Sequence, residues 1–212
     1  GGLGVPFGHP IYDPIYEAAA EFGLPVAIHF GMNMYGGLPS LSAGGLPSNG
    51  VEFYTLVNQA GMHHVTSFIT HGVFEKFPTL KLIMLETGVN WAPWLFSHLD
   101  FEYPRLRRES PLVKRLPSEY MREHIRFSTQ PFEHTENPDH LLHWLDTMPG
   151  VEDVLLFATD WPHWDSDEVG YVARRLPAAW LPKVFYDNAS KCLRWPTNAR
   201  AKASTGARLA SG

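Results

Sequence analysis

The sequence predicts an α/β fold that forms part of a (β/α)8 barrel, and three observations lead there. Strand signals alternate with helix signals four times without a hairpin turn between them, the pattern of parallel βαβ units joined by right-handed crossovers. Three apolar strand runs end in an ionisable side chain, at His29, Glu86 and Asp160, and barrel enzymes assemble their sites from several strand ends on one face. No Gly-x-Gly-x-x-Gly follows any strand, so a doubly wound sheet, which fits the same alternation, lacks its dinucleotide fingerprint. A complete barrel takes about 250 residues and eight strands. The 212 residues here show about four βα units.

The elements follow in order. Asp13-Pro14-Ile15-Tyr16-Glu17 carries a capping residue and then Pro at the first helical position, and Gly23 closes that helix. Pro25-Val26-Ala27-Ile28-His29 is the first strand, β-prone and ending in an imidazole. Residues 30–50 are rich in Gly, Ser, Pro and Asn, too long for a simple connection, and are expected to lie over a site. Helical spacing runs from Val51 to about Phe74, and Lys81-Leu82-Ile83-Met84-Leu85 is the next strand, closed by Glu86 and Gly88. A helix spans Trp91 to Tyr103, another starts near Ser118, and Ile125-Arg126-Phe127-Ser128 is the third strand. Asn137-Pro138 opens a helix through Trp144. Val154-Leu155-Leu156-Phe157-Ala158-Thr159-Asp160 then reads as a strand buried on both faces, with helices from about Asp167 and from Ala178 to Leu193 after it.

Composition narrows the class of protein. With 44% hydrophobic and 18% charged residues the chain suits one globular core, a partial barrel domain over residues 1–198, followed by a small-residue tail at 199–212 expected to be disordered. A formal charge of −5 offers no electrostatic reason to bind nucleic acid, and no apolar run approaches the roughly 18–20 residues that span a bilayer. A soluble, cytoplasmic protein acting on a small molecule is expected. The single Cys192 excludes an internal disulfide and reads as a half-buried thiol in a C-terminal helix. The opening Gly1-Gly2-Leu3-Gly4, without Met or a signal-peptide pattern, reads as cut from something longer.

The candidate chemistry sits at the strand ends. His29 is either a metal ligand or a core imidazole satisfied by a carbonyl. Asp160, directly after an apolar run, must be paired, hydrogen-bonded, metal-bound or a cap for the next segment, because an uncompensated buried carboxylate is costly. Glu86 is a third ligand, a general acid or base, or the partner of an arginine. His163 points into the same mouth or lies on a surface loop. His63, His64 and His71 fall on a helix as surface or packing groups. Trp91, Trp94, Trp161 and Trp164 flank these positions and either line an apolar pocket or only pack. Arg105, Arg107 and Arg108 with Glu102 and Glu109 form a mixed cluster expected on a solvated face or a subunit contact.

Taken in order, Asp13-Pro14-Ile15-Tyr16-Glu17-Ala18-Ala19, Leu24-Pro25-Val26-Ala27-Ile28-His29, Gly72-Val73-Phe74-Glu75-Lys76-Phe77-Pro78-Thr79-Leu80-Lys81, Ala158-Thr159-Asp160-Trp161-Pro162-His163 and Asp187-Asn188-Ala189 resemble the amidohydrolase-related family. That family holds enzymes of the aminocarboxymuconate semialdehyde and resorcylate decarboxylase type. The resemblance covers roughly residues 9–195. It implies a distorted barrel with a divalent metal, zinc or manganese, at the strand C-termini. It makes His29 the fifth-strand ligand and Asp160 the eighth-strand ligand. A first-strand His-x-His pair, also implied, has no counterpart here, so the chain is expected to begin just after the fourth strand. Where decarboxylase members carry His-Gly at the end of the sixth strand, this chain has Glu86-Thr87-Gly88.

Two functions are therefore expected. In the first, Glu86, Asp160 and His163 carry out proton transfer beside a metal held by His29 and Asp160, giving a hydrolase or decarboxylase of a small organic acid or ring compound. In the second, the chain is a catalytically incomplete half barrel with a binding or structural role. Open sheet edges in either case predict a homo-oligomer.

Overall fold

A computed structural model describes residues 3–29, 47–133 and 135–195. Residues 30–46, the greater part of the expected lid, and the tail at 199–212 lie outside the described residues. Four parallel strands, β1 (Val26–His29), β2 (Leu82–Leu85), β3 (Ile125–Ser128) and β4 (Leu155–Leu156), lie side by side in sequence order. That order never reverses, as a barrel wall requires and a doubly wound sheet does not. Helices intervene: α1 (Asp13–Phe22) precedes β1, α2 (Gly50–Thr70) and α3 (Val73–Lys76) join β1 to β2, and α4 (Ala92–Leu106) and α5 (Pro117–His124) join β2 to β3. Then α6 (Pro138–Asp146) joins β3 to β4, and α7 (Val169–Ala173) and α8 (Asn188–Cys192) close the order.

Local chemistry accounts for the helix ends. Pro14 occupies the first turn of α1, and Gly23, at φ 64°, ends it with the left-handed conformation that glycine takes without strain. The Asn49 side chain accepts the Glu52 N–H at the start of α2, and the Asn137 side chain accepts the Asp139 N–H at the start of α6. The single helix expected from Val51 to Phe74 is instead two, because the chain breaks at Gly72, with φ 65°.

Register decides which face is core. Val26, Leu82 and Ile125 are level with one another, as are Ile28, Met84 and Phe127, and Phe127 is level with Leu155. Side chains alternate across a strand. These residues therefore share the helix-facing side, where Phe68, Phe74, Phe96 and Met121 bury against Leu82, Met84, Ile125, Phe127 and Leu155. The opposite side carries Ala27, His29, Ile83, Leu85, Arg126, Ser128 and Leu156. On β1 that side is open, with Ala27 and His29 exposed and Ile28 buried, so His29 does not end a strand buried on both faces. β1 is flanked in the sheet by β2 alone.

β4 is shorter than the run Val154–Asp160 predicts. Beyond Leu156 the backbone is bonded differently: Phe157 N–H donates to Val184 O (2.9 Å), and Ala158 N–H donates to the Thr129 hydroxyl (3.1 Å). Asn188 Nδ2 adds bonds to Glu152 O (2.7 Å) and Leu155 O (2.8 Å). Val184 lies in a wide π turn, Lys183–Asp187, that leads into α8. The outer edge of β4 is thus covered by the C-terminal helical segment, one of the ways proteins blunt an exposed edge. Cys192, on α8, is half-buried with its thiol pushed up by burial.

Near the N-terminus, Phe7 stacks on His64 at 4.4 Å, and its N–H donates to His64 Nδ1 (3.2 Å). Burial, with His63 beside it, pulls His64 down to about 4. His64 is therefore neutral in the fold while the unfolded chain protonates near 6.5, so stability is complete above pH 6.5 and falls as the pH drops toward 4. At 1.36 kcal/mol per unit, the expected loss over that window is on the order of 3 kcal/mol. Urea unfolding of His64→Gln at both pH values should show this loss removed. A second close approach is at Gly8, where a Cβ would lie 2.2 Å from the Ser67 backbone carbonyl. Since backbone cannot yield as a side chain can, Gly8→Ala should cost about 3 kcal/mol or more and lower the thermal midpoint.

Candidate active site

The sheet register brings the first two site residues together. His29 is level with Leu85, so Glu86 follows one residue past it on the neighbouring strand. Glu86 then turns back at φ 53°, and His29 Nε2 lies 2.6 Å from Glu86 Oε1. The Glu86 N–H donates to the Ser128 hydroxyl (3.1 Å), which in turn donates to Gln130 O (3.1 Å). The end of β2 is fixed in this way by the end of β3.

Asp160 makes a similar turn at φ 58°. Its backbone carbonyl accepts the His163 N–H (2.9 Å), and its Oδ2 lies 2.7 Å from His163 Nδ1. Left-handed backbone at a non-glycine residue costs of order 1–3 kcal/mol and collects at functional sites. Among the described residues only Glu86, Asp160 and Arg194 adopt it, and two of these three are the site acids.

The loops behind them are strapped to each other. Asp167 N–H donates to Thr159 O (2.9 Å), Asp167 Oδ2 accepts the Phe132 N–H (2.7 Å), and Gln130 Nε2 donates to Asp165 O (3.3 Å). The Gln130-Pro131 and Trp161-Pro162 peptides are both cis. Thr129 closes the gap between β3 and β4, with its N–H on Leu156 O (2.8 Å) and its hydroxyl on Ala158 O (3.3 Å).

Glu86, Asp160 and His163 each present a ligand atom, and these atoms lie within 4.8 Å of one another. Desolvation raises the Glu86 carboxyl above its usual range, a hydrogen bond to Asp160 raises it further, and His29 opposes both. Two carboxyls in hydrogen-bond contact share a proton or a cation. The donor set of two carboxylates and an imidazole, with a second imidazole 2.6 Å from Glu86, suits zinc or manganese. The residues present therefore fit the divalent ion that the family resemblance implies. His29 joins this group through Glu86, and its side chain is 51% exposed.

Other expected site residues are dispersed. Trp91 is buried, its indole N–H on Thr87 O (2.7 Å), and it packs against Phe127. Trp94 is exposed on α4, stacked on His98. Trp161 and Trp164 are open to solvent at the β4 end, Trp164 edge-on to Tyr54 at 5.6 Å. His71 faces His9. Arg105, Arg107 and Arg108 are exposed, Arg105 lying over the Phe101 ring. Sequence reasoning passed over Ser128, Gln130, Glu133 and Asp167. The signal available was the stretch Thr129-Gln130-Pro131-Phe132-Glu133 directly after a strand, where the other three strands carried their polar ends.

The fold has solved relatives. An amidohydrolase from Mycobacterium avium subsp. paratuberculosis K-10 superposes with TM-score 0.67 at 24% identity, over 91% of this chain and 47% of that one. A dihydroxybenzoic acid decarboxylase from Polaromonas sp. JS666, with bound manganese and 2-nitroresorcinol, gives 0.64 at 20% over 90% and 55%. A 5-carboxyvanillate decarboxylase from Sphingomonas paucimobilis gives 0.61 at 18% over 90% and 55%. The chain spans about half the length of these structures. Among curated protein sequences none matches. The amidohydrolase family model matches residues 1–195, and with nearly the whole described fold inside that match, the chain belongs to the amidohydrolase family.

Proposed function

We propose that this chain supplies His29, Glu86, Asp160 and His163 to the active centre of a divalent-metal-dependent hydrolase or decarboxylase acting on a small organic acid or ring compound. The observation that carries the reading is the convergence of Glu86, Asp160 and His163 within 4.8 Å at the ends of two strands. Family membership and the decarboxylase neighbours support it, one of them holding manganese.

Asp160 and His29 would hold the metal, with Glu86 or His163 completing the set. When bound, such an ion polarises a substrate oxygen or lowers the pKa of water toward neutrality. The protein's own groups handle protons. Glu86, raised by desolvation, retains a proton at higher pH than an ordinary carboxyl and can deliver it to carbon or, once ionised, accept one from water. His29 Nε2, 2.6 Å from Glu86 Oε1, holds that carboxyl in place. His163, with Nδ1 2.7 Å from Asp160 Oδ2, can shuttle a proton where Glu86 completes the metal's ligands. The straps from Gln130 and Asp167 hold the Asp160 loop against the β3 loop, so these distances are set before substrate arrives.

One observation favours the second reading, a half barrel with a binding or structural role alone: the site-bearing face of β1 is open to solvent. Metal retention separates the two. After loading with zinc or manganese and desalting, the folded chain is expected to keep near-stoichiometric metal. Asp160→Ala and His29→Ala are expected to weaken metal by more than the roughly 10–100-fold typical of losing an outer-shell partner. Elemental analysis, with circular dichroism to confirm folding, makes the measurement. A folded wild-type chain that keeps no metal would exclude activity by this chain alone.

A further inference from the structure

Beside the acid cluster lies a second polar group that the proposed chemistry does not use. Glu133 follows β3 and sits above Gly88, whose Cβ position would be 3.5 Å from Glu133 Oε1, 3.6 Å from Cδ and 3.7 Å from Oε2. All three carboxyl atoms are therefore laid against the backbone of a residue only two positions beyond Glu86. Two residues span at most about 7 Å, so the Glu133 carboxyl lies against the same loop that carries Glu86. Asn58, on α2, approaches Oε1 with Nδ2 at 3.5 Å, a long contact, and the Asn90 side chain also hydrogen-bonds the carboxyl.

The α2 face that carries Asn58 is fixed over this loop. A Cβ at Gly61 would be 3.2 Å from Thr87 Cβ and 3.3 Å from Trp91 Cζ2, so the helix rests directly on the end of β2. Asn58 and Tyr54 lie three and seven residues before Gly61, on the same face. Tyr54 meets Trp164 edge-on at 5.6 Å. An aromatic pair, a carboxyl and the acid cluster are therefore carried by α2 and by the loops after β2, β3 and β4, at one end of the sheet.

Carboxyls outnumber described cationic side chains around these loops. Among the described residues Glu86 interacts with His29 and Asp160, and Glu133 with the two asparagine amides, and no Lys or Arg interacts with either carboxyl. Glu133 is accessible to solvent yet surrounded by enough protein that desolvation raises it. An accessible carboxyl braced by amide donors presents its remaining lone pairs outward. Among the described residues, two amide donors leave part of its acceptor capacity unused.

We infer that Glu133, braced by Asn58 and Asn90, is a specificity-determining residue that accepts a hydrogen bond from a hydroxyl or ammonium substituent on a planar ring lying against Tyr54 and Trp164. The inference rests on the reading that this end of the sheet binds substrate, and it narrows the substrate class to rings bearing a hydrogen-bond donor. Asn58 and Asn90 act as positioning residues.

Benzyl alcohol, benzylamine and benzyl methyl ether share one skeleton and differ in donor, so they serve as probes in ligand-observed NMR titrations of the metal-loaded chain. A hydrogen bond to a charged group corresponds to about tenfold in affinity or more. The alcohol or the amine is expected to bind by that factor more tightly than the ether. Glu133→Ala should bring all three to parity. Glu133→Gln, which keeps the shape and a carbonyl acceptor, should preserve preference for the alcohol and abolish preference for the amine, which identifies the donor. Equal binding of the three probes to wild type, unchanged discrimination in Glu133→Ala, or no binding to a folded wild-type chain would each overturn the inference. Metal content measured on the same samples keeps the two proposals apart. Metal loss with Glu133-dependent discrimination intact counts against the metal reading alone, and retained metal without discrimination counts against Glu133 alone.

Discussion

The in-register parallel pairing of four strands in sequence order governs everything else in this fold. With a period of two, one register decision assigns each residue to the helix side or the other side. Ile28, Met84, Phe127 and Leu155 go to the helices and form the core. His29 goes to the other side, one position short of the level at which Glu86 leaves β2. A shift of β1 by a single residue would carry His29 into the apolar core and Ile28 out of it. The hydrophobic effect on the helix side therefore positions the polar chemistry on the opposite side.

The site depends next on two backbone turns that their residues do not favour. Glu86 and Asp160 take positive φ, and a fold keeps such strain only where its surroundings overdetermine it. Here those surroundings are visible. The Ser128 hydroxyl takes the Glu86 N–H, and the Thr159 carbonyl next to Asp160 is held by the Asp167 N–H. The Asp167 carboxylate ties that segment to Phe132. Side-chain hydroxyls and a carboxylate thus continue the ladder where strand hydrogen bonding stops. This is also why β4 is only two residues long although the apolar run is longer.

Much of this architecture was legible from the residues. Gly23 and Pro14 bracket α1, Asn137-Pro138 opens α6, and the apolar runs at 82–85 and 125–128 are strands, because local sterics and periodicity act over a few residues. The gathering of Glu86, Asp160 and His163 was legible in outline, since each sits at or just past a strand end and parallel strands end at one face. The exposure of His29 was not. It depends on what flanks β1 in the sheet, and a short apolar run reads the same at an edge as at the centre. Glu133 was hidden for another reason. Its significance comes from Asn58, which lies 75 residues away in sequence and meets it only through the packing of α2 on the β2 loop.

Electrostatics ties these features together. Glu86 and Asp160 are close enough to hydrogen-bond, so with both ionised and nothing between them they repel in a partly desolvated setting. A shared proton relieves that repulsion, and so does a cation. The imidazoles of His29 and His163 stand at 2.6 Å from Glu86 and 2.7 Å from Asp160, where they can donate to the carboxylates. Asp160 and His29, with Glu86 or His163, would hold a divalent ion whose charge offsets that repulsion. Glu133 is braced by the neutral amides of Asn58 and Asn90, and desolvation raises its carboxyl. On the proposed reading, the carboxyl that meets the substrate is a different group from those that hold the metal.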